Sequence, residues 1–458
     1  MKGRILAGVL SATMVASVLA GCGISNGTTE TKGETTGNAA TETGSEAAKD
    51  TAGETEAKAE NNGEKITIRL TRWGTTADGA ADQQLIDEFN ETNDKNIEVV
   101  FDLVPGDGYG DRLTTSFSSG DGYDIFASGE GDFFKWVDRG LTTPMDDLMA
   151  ADTEYTQSLP NSLLNMGKVN GQQHYMVSDE NPITLYYNKD MFDAAGVEYP
   201  TNDWTWDDLF AAAEKLTVKN DDGTYEQYGF NAQNWEYAVL TYIESLGLNF
   251  MNEDGTECDG YLNSPEVAEA LDKYFAMAEE PGKVSPAAAD LDTFGNATAM
   301  MTEGKLAMFV SGGWDKKTLE DAGTNFGMAL VPGNHTSYLC ASGFAIGANC
   351  KNPEAAWEVV KFMTSEHASD VRSEVNKVLP TSEAKLDELE TSLEDSKKAY
   401  VQALDTSVQP IGMRSTMGSV INTKIKEMFE NIIFHTADTQ TILDNTVAEV
   451  KAEMAEME

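Results

Sequence analysis

Residues 66–128 constrain the fold more tightly than any other part of the chain. "ITIRL" (66–70) alternates apolar and polar side chains as a half-buried strand does. "DQQLIDEFN" (82–90) puts Leu85, Ile86 and Phe89 on one helical face. "IEVVFDL" (97–103) is a second strand, Leu113 and Phe117 lie in a second helix, and "YDIFAS" (123–128) is a third strand. The order is β-α-β-α-β. Neighbouring parallel strands need crossovers of this kind, so the spacing predicts an α/β sheet covered by helices.

The rest of the chain adds a second body. At 458 residues it exceeds one simple core and suits two lobes. The middle is more helical. "TWDDLFAAAEKLT" (205–217) is an amphipathic helix in which Thr205 and Asp208 form a capping pair. "SPEVAEALDKYFAMAEE" (264–280) repeats the arrangement with a serine cap and proline in the first turn. "AMFVSGG" (307–313) and "SGFAIGA" (342–348) read as short buried strands, and "NPEAAWEVVKFMTS" (352–365) as a capped helix. From about Ser415 the pattern is helical to the end. There is no internal repeat.

The N-terminus is of a different kind. Met1 to Arg4 is a short basic start, and residues 5–20 are apolar or small throughout. This is the pattern of a secretory signal, shorter than a comfortable membrane span. Leu19-Ala20-Gly21-Cys22 resembles the lipobox of bacterial lipoproteins, which implies cleavage before Cys22 and diacylation of its sulfur. Two acyl chains suffice for stable anchoring. Residues 22–64 then contain no aromatic residue and one large aliphatic, Ile24. Such a segment cannot bury enough apolar area to fold, and reads as a flexible linker spanning roughly 35 Å. A tether of this length and composition is similar to those of Gram-positive surface lipoproteins. The expected location is therefore the outer face of the cell membrane.

A formal net charge of -45 repels phosphate backbones and anionic headgroups, which sets nucleic acid aside as a partner. Cys258, Cys340 and Cys350 are far apart and form no C-x-x-C pair; export would permit a disulfide whose pair the sequence does not choose, and buried free thiols are the default reading. The four histidines are scattered without ligand spacing, so no metal and no cofactor is expected.

Residues 185–210, "LYYNKDMFDAAGVEYPTNDWTWDDLF", carry the strongest identity. Tyr187-Asn188-Lys189-Asp190, Ala195-Gly196, Pro200 and Thr205-Trp206-Asp207-Asp208-Leu209 resemble, in order and spacing, the bacterial extracellular solute-binding proteins of the sugar-transport type, the receptors of ABC importers. "DRGLTTPMDDL" (138–148), "AMFVSGGWD" (307–315), "GFAIGANCKNPEAAWEVVKFMTS" (343–365) and "LPTSEA" (379–384) look like further landmarks of that family. Together they span nearly everything from Lys65 onward. Most of these residues have structural duties: Asn188 and Asp190 in turns and caps, Gly196 at a positive φ, Trp206 in the core.

The resemblance implies an α/β, two-lobed, periplasmic-binding-protein-like fold (type II, Venus-flytrap) with a hinge between lobes. The expected lobes are 65–180 with 341–376, and 181–340 with 377–458. The implied function is capture of a sugar, an oligosaccharide above all, by a monomer that delivers it to the membrane permease. Sugar faces stack on aromatic rings, and hydroxyls need oriented polar partners. Ends of strands form such clefts. Trp73, Glu130, Asp132, Glu180, Asn181, Trp235, Trp314 and Arg414 are the candidate contacts, with Trp314 at the family's stacking position. Two alternatives stay open. An exported glycosidase would also use carboxylates in a sugar cleft, although no G-x-S-x-G or H-E-x-x-H motif is present. A receptor of the same fold for a peptide or other non-sugar solute is the other.

Overall fold

A computed structural model describes residues 65–457 apart from 107 and 160. The signal segment, Cys22 and the linker 22–64 lie outside the described residues. Among the described residues, no helix is long and apolar enough to cross a membrane.

The predicted alternation is realised. Strands Ile66–Trp73, Ile97–Val104 and Ile125–Gly129 are joined by helices Ala80–Thr92 and Tyr109–Ser118. The first strand lies in the middle of the three and is parallel to both neighbours. Period-two alternation covers both faces of this sheet. Ile125 enters a core with Ile68, Leu70, Leu85 and Val360, while its neighbour Phe126 enters another with Leu113, Phe117 and Tyr175.

The second lobe is built differently. Its sheet has three strands, all antiparallel, with Thr184–Asn188 between Met308–Ser311 and Phe326–Ala329. Alternation again serves two cores. Leu185 and Tyr187 pack with Leu209 and Ile243, whereas Tyr186 packs with Phe309, Phe326 and Tyr400. Helix Trp206–Leu216 carries the predicted capping box between Thr205 and Asp208, and Trp206 is buried. Asn188 caps helix Lys189–Ala195, and Gly196 closes it at a φ of 64°. Asn352 does not cap helix Pro353–Met363 through its side chain, contrary to expectation; Pro353 alone opens that helix.

The strand expected at 342–348 runs instead over Ser337–Gly347. Its first half is pinned antiparallel to Met176–Pro182, and its second half to Ile125–Gly129. The extension adds Ser337 to Ala341 ahead of the expected start at Ser342. The long strand serves both lobes: Tyr338 and Cys340 pack in the second-lobe core, Phe344 and Ile346 in the first. Met176–Pro182 does likewise, with Met176 in the first-lobe core and Ile183, just beyond it, in the second. After helix Glu366–Asn376 the chain passes again from Val371 in one core to Leu379 in another. Cys258, Cys340 and Cys350 are all free thiols.

Candidate functional site

Where these connections pass between lobes there is a cleft of about 530 Å³. Of the sequence-derived candidates, Trp73, Glu130, Asp132, Asn181, Trp235 and Trp314 line it. Trp73 ends the first strand, and Glu130 and Asp132 form a 3-10 turn after the third. Trp235 immediately precedes helix Glu236–Ser245, and Trp314 opens helix Trp314–Asp321.

The floor is a hydrogen-bonded chain. Strand Met176–Pro182 bulges opposite Ser342 and Gly343, which re-aims its side chains. The Asp179 carboxylate accepts from Ser342 Oγ at 2.5 Å, Ser178 Oγ at 3.0 Å and Asn181 Nδ2 at 3.1 Å. Asn181 Oδ1 in turn accepts from the Tyr400 hydroxyl at 2.9 Å. Glu130 Oε2 accepts from the Ala341 amide at 2.8 Å. Burial pushes the Glu130 carboxyl up to about 7, against the opposing pull of hydrogen bonds from Ala341 and Tyr237.

The walls are aromatic. Trp235 and Trp314 meet at 5.8 Å between centroids with an interplanar angle of 74°. Trp314 is 39% exposed, a large indole left open to solvent. On the first lobe, Trp73 leans on Tyr109 at 5.7 Å, with the Arg72 guanidinium 5.3 Å from its ring.

Charge in the cleft is asymmetric. Arg72 and Arg372 both line it, and both are held by one carboxylate, Asp82, at 2.7 and 2.8 Å. Burial would raise Asp82; the Arg372 and Arg72 guanidiniums overcome that and hold it below its ordinary value. Lys317 is paired with Asp321 at 2.5 Å and Lys135 with Asp132 at 3.0 Å. Among the described residues, no ion pair ties Asp78, Glu130, Asp179 or Glu236 to a lysine or arginine, and all four line the cleft. The buried Oδ1 atoms of Asn376 and Asn422, also on the lining residues, have no hydrogen-bond partner in the protein. The open capacity of the cleft is therefore hydrogen-bond acceptance beside indole faces.

Two candidates lie elsewhere. Glu180 projects from the face of its strand opposite Asp179 and Asn181, as period-two alternation requires, and does not line the cleft. Its Oε1 is buried with no partner, and burial, then the nearby Asp179 carboxylate, raise it to about 7. Arg414 is also absent from the lining. Its guanidinium grips buried Glu244 in a bidentate pair, 2.9 Å at each nitrogen, and lies 5.3 Å from the Tyr338 ring. Its Nε also donates to the Gln409 carbonyl at 2.6 Å, so its polar groups are engaged within the second lobe.

The sequence profile of the bacterial extracellular solute-binding proteins matches residues 73–369. The chain belongs to this family. A solute-binding protein of similar structure, from Listeria monocytogenes in complex with cycloalternan, superposes with a TM-score of 0.75 at 26% identity, covering 86% of this chain and 100% of that one. A maltooligosaccharide ABC transporter solute-binding lipoprotein of Streptococcus pneumoniae (strain ATCC BAA-255 / R6) is 24% identical over 80% of this chain and 85% of its own length. A protein of Brucella abortus (strain 2308) described as a binding protein is 27% identical over 60% of this chain and 66% of its own, so the match spans just under two thirds of that relative.

In this solute-binding protein, sequence reasoning missed Arg72, Asp78, Asp82, Glu236, Tyr237, Arg372 and Asn376. Asp82 and Arg372 are 290 residues apart, and nothing local marks either one. Glu236 and Tyr237 directly follow the candidate Trp235; the turn into their helix was the available signal.

Proposed function

We propose that this chain is the receptor of an ABC importer, which captures an uncharged oligosaccharide between its lobes and hands it unaltered to the membrane permease. Its lobes are 65–180 with 341–376, and 181–340 with 377–458, and Cys22 carries the lipid anchor on the outer face of the membrane. One observation carries the ligand class: the cations that line the cleft are paired with carboxylates, while acceptors and indole faces stand open. Sugar hydroxyls supply donors to Asp78, Asp179, Asn376 and Asn422, and C–H faces lie on Trp73, Trp235 and Trp314. An anionic ligand would meet carboxylates lacking counter-ions. The oligosaccharide ligands of the Listeria and Streptococcus relatives support the same class.

The test is a thermal-shift and calorimetric panel of maltotriose, maltotetraose, mannobiose and cycloalternan, with a uronic-acid oligosaccharide as the charged control. The expected result is one-to-one binding of at least one neutral glycan, recovered intact, with no binding of the charged control. Binding of the uronate alone, or release of a shortened glycan, would overturn the proposal.

A further inference from the structure

We infer that Gly312 is the residue that positions the Trp314 indole in the cleft; this rests on the sugar-binding reading above and deepens it. Gly312 follows strand Met308–Ser311 and stands two residues before Trp314. A Cβ built on Gly312 would lie 2.2, 2.4 and 2.7 Å from Cζ3, Cη2 and Cε3 of Trp314. These are its three nearest atoms, and all belong to the six-membered ring. The indole is folded over the Gly312 backbone, in the space that any side chain at 312 would fill.

Backbone conformation does not require glycine there, since Gly312 is not among the positive-φ residues. The requirement is room for the ring. The backbone beneath is held firmly. The Tyr186 hydroxyl donates to the Gly312 carbonyl at 2.8 Å. The half-buried Asp315 carboxylate, next after Trp314, accepts from Ser311 Oγ and Thr298 Oγ1, both at 2.5 Å. Gly312 thus backs the ring, Trp235 abuts it, and 39% of the residue's surface is open to solvent. The adjacent Gly313 answers a separate demand. Its Cβ would meet the Tyr400 hydroxyl at 1.6 Å and Asn181 Oδ1 at 2.8 Å, so its bareness leaves room for the hydrogen bond at the cleft floor. Two consecutive glycines serve two different parts of the site.

The test compares Gly312→Ala, Trp314→Phe and the double variant in the full-length protein labelled with 5-fluorotryptophan. The chain has seven tryptophans, and the Trp314 fluorine line is assigned by its loss in Trp314→Phe. Gly312→Ala is expected to move the Trp314 line and its neighbour Trp235, leaving the buried Trp136, Trp206 and Trp357 lines in place. Affinity for the neutral glycan bound by the parent, from the panel above, falls roughly tenfold. In the Trp314→Phe background the same substitution changes affinity by less than about twofold, because the two act through one ring. An unmoved Trp314 line, or an equal loss of affinity in both backgrounds, overturns the inference. If no glycan of the panel binds the parent, the sugar reading has failed, and the fluorine lines alone decide where Gly312 holds the ring.

Discussion

Replacing Glu180 with glutamine isolates one buried carboxyl at the hinge. Glu180 faces away from the cleft, its Oε1 is buried without a partner, and its carboxyl is raised from 4.5 to about 7 by burial and by Asp179. At 1.36 kcal/mol per tenfold change in acidity, that gap corresponds to about 3 kcal/mol. The sign follows from proton binding. The folded state holds this proton more tightly than the unfolded state, so its contribution to stability is complete below pH 4.5. It fades as pH rises and is gone above about pH 7. Glu180→Gln keeps the shape and never ionises. Urea unfolding of parent and variant at pH 5 and pH 8 should therefore show near-equal stability at the lower pH. At the higher pH the variant should be more stable by as much as about 3 kcal/mol. A variant whose advantage is the same at both pH values, or larger at pH 5, would refute the reasoning.

Other substitutions separate cleft from scaffold. Asp82→Asn leaves the Arg72 and Arg372 guanidiniums buried without their shared counter-ion, and should lower unfolding free energy in urea by about 3–5 kcal/mol. Arg414→Ala should destabilise the protein through the orphaned Glu244 carboxylate by a similar ~3 kcal/mol, while calorimetry on the surviving folded fraction finds the glycan affinity of the parent. Thr205→Ala removes the hydroxyl half of a capping box, leaving the Thr205 backbone N–H on Asp208, and should cost about 1 kcal/mol in the same urea assay. Cys22→Ser should abolish incorporation of labelled palmitate and release the protein from membranes into the medium, as the loss of an acylated anchor requires.

Much of the fold was written in local patterns. Alternation at 66–70 and the helical face of Leu85, Ile86 and Phe89 place the first lobe directly, because each element buries one face. Thr205 with Asp208, and Asn188 with Gly196, mark helix ends by chemistry that acts over a few residues. The hinge was harder. Its long strand divides its side chains between the cores of both lobes and, at Ser342, the hydrogen-bonded floor of the cleft, so no single apolar pattern marks it. The aromatic lining was legible because tryptophans at strand ends and helix starts are few. The separation of Asp179 and Asn181 from Glu180 depends on which strand face meets the cleft, and a bulge at Ser178 sets that phase. That Arg414 pairs with Glu244 outside the cleft lining was not legible, because the two lie 170 residues apart in sequence.

The central claim is that the lobes clasp a neutral glycan between indole faces and open acceptors. A crystal structure with the bound glycan of the panel tests it most directly. The account predicts a sugar ring lying flat on Trp314, hydroxyls donating to carboxylate or amide oxygens of both lobes, and every glycosidic bond intact. A glycan seated outside the cleft, or touching one lobe alone, would contradict it.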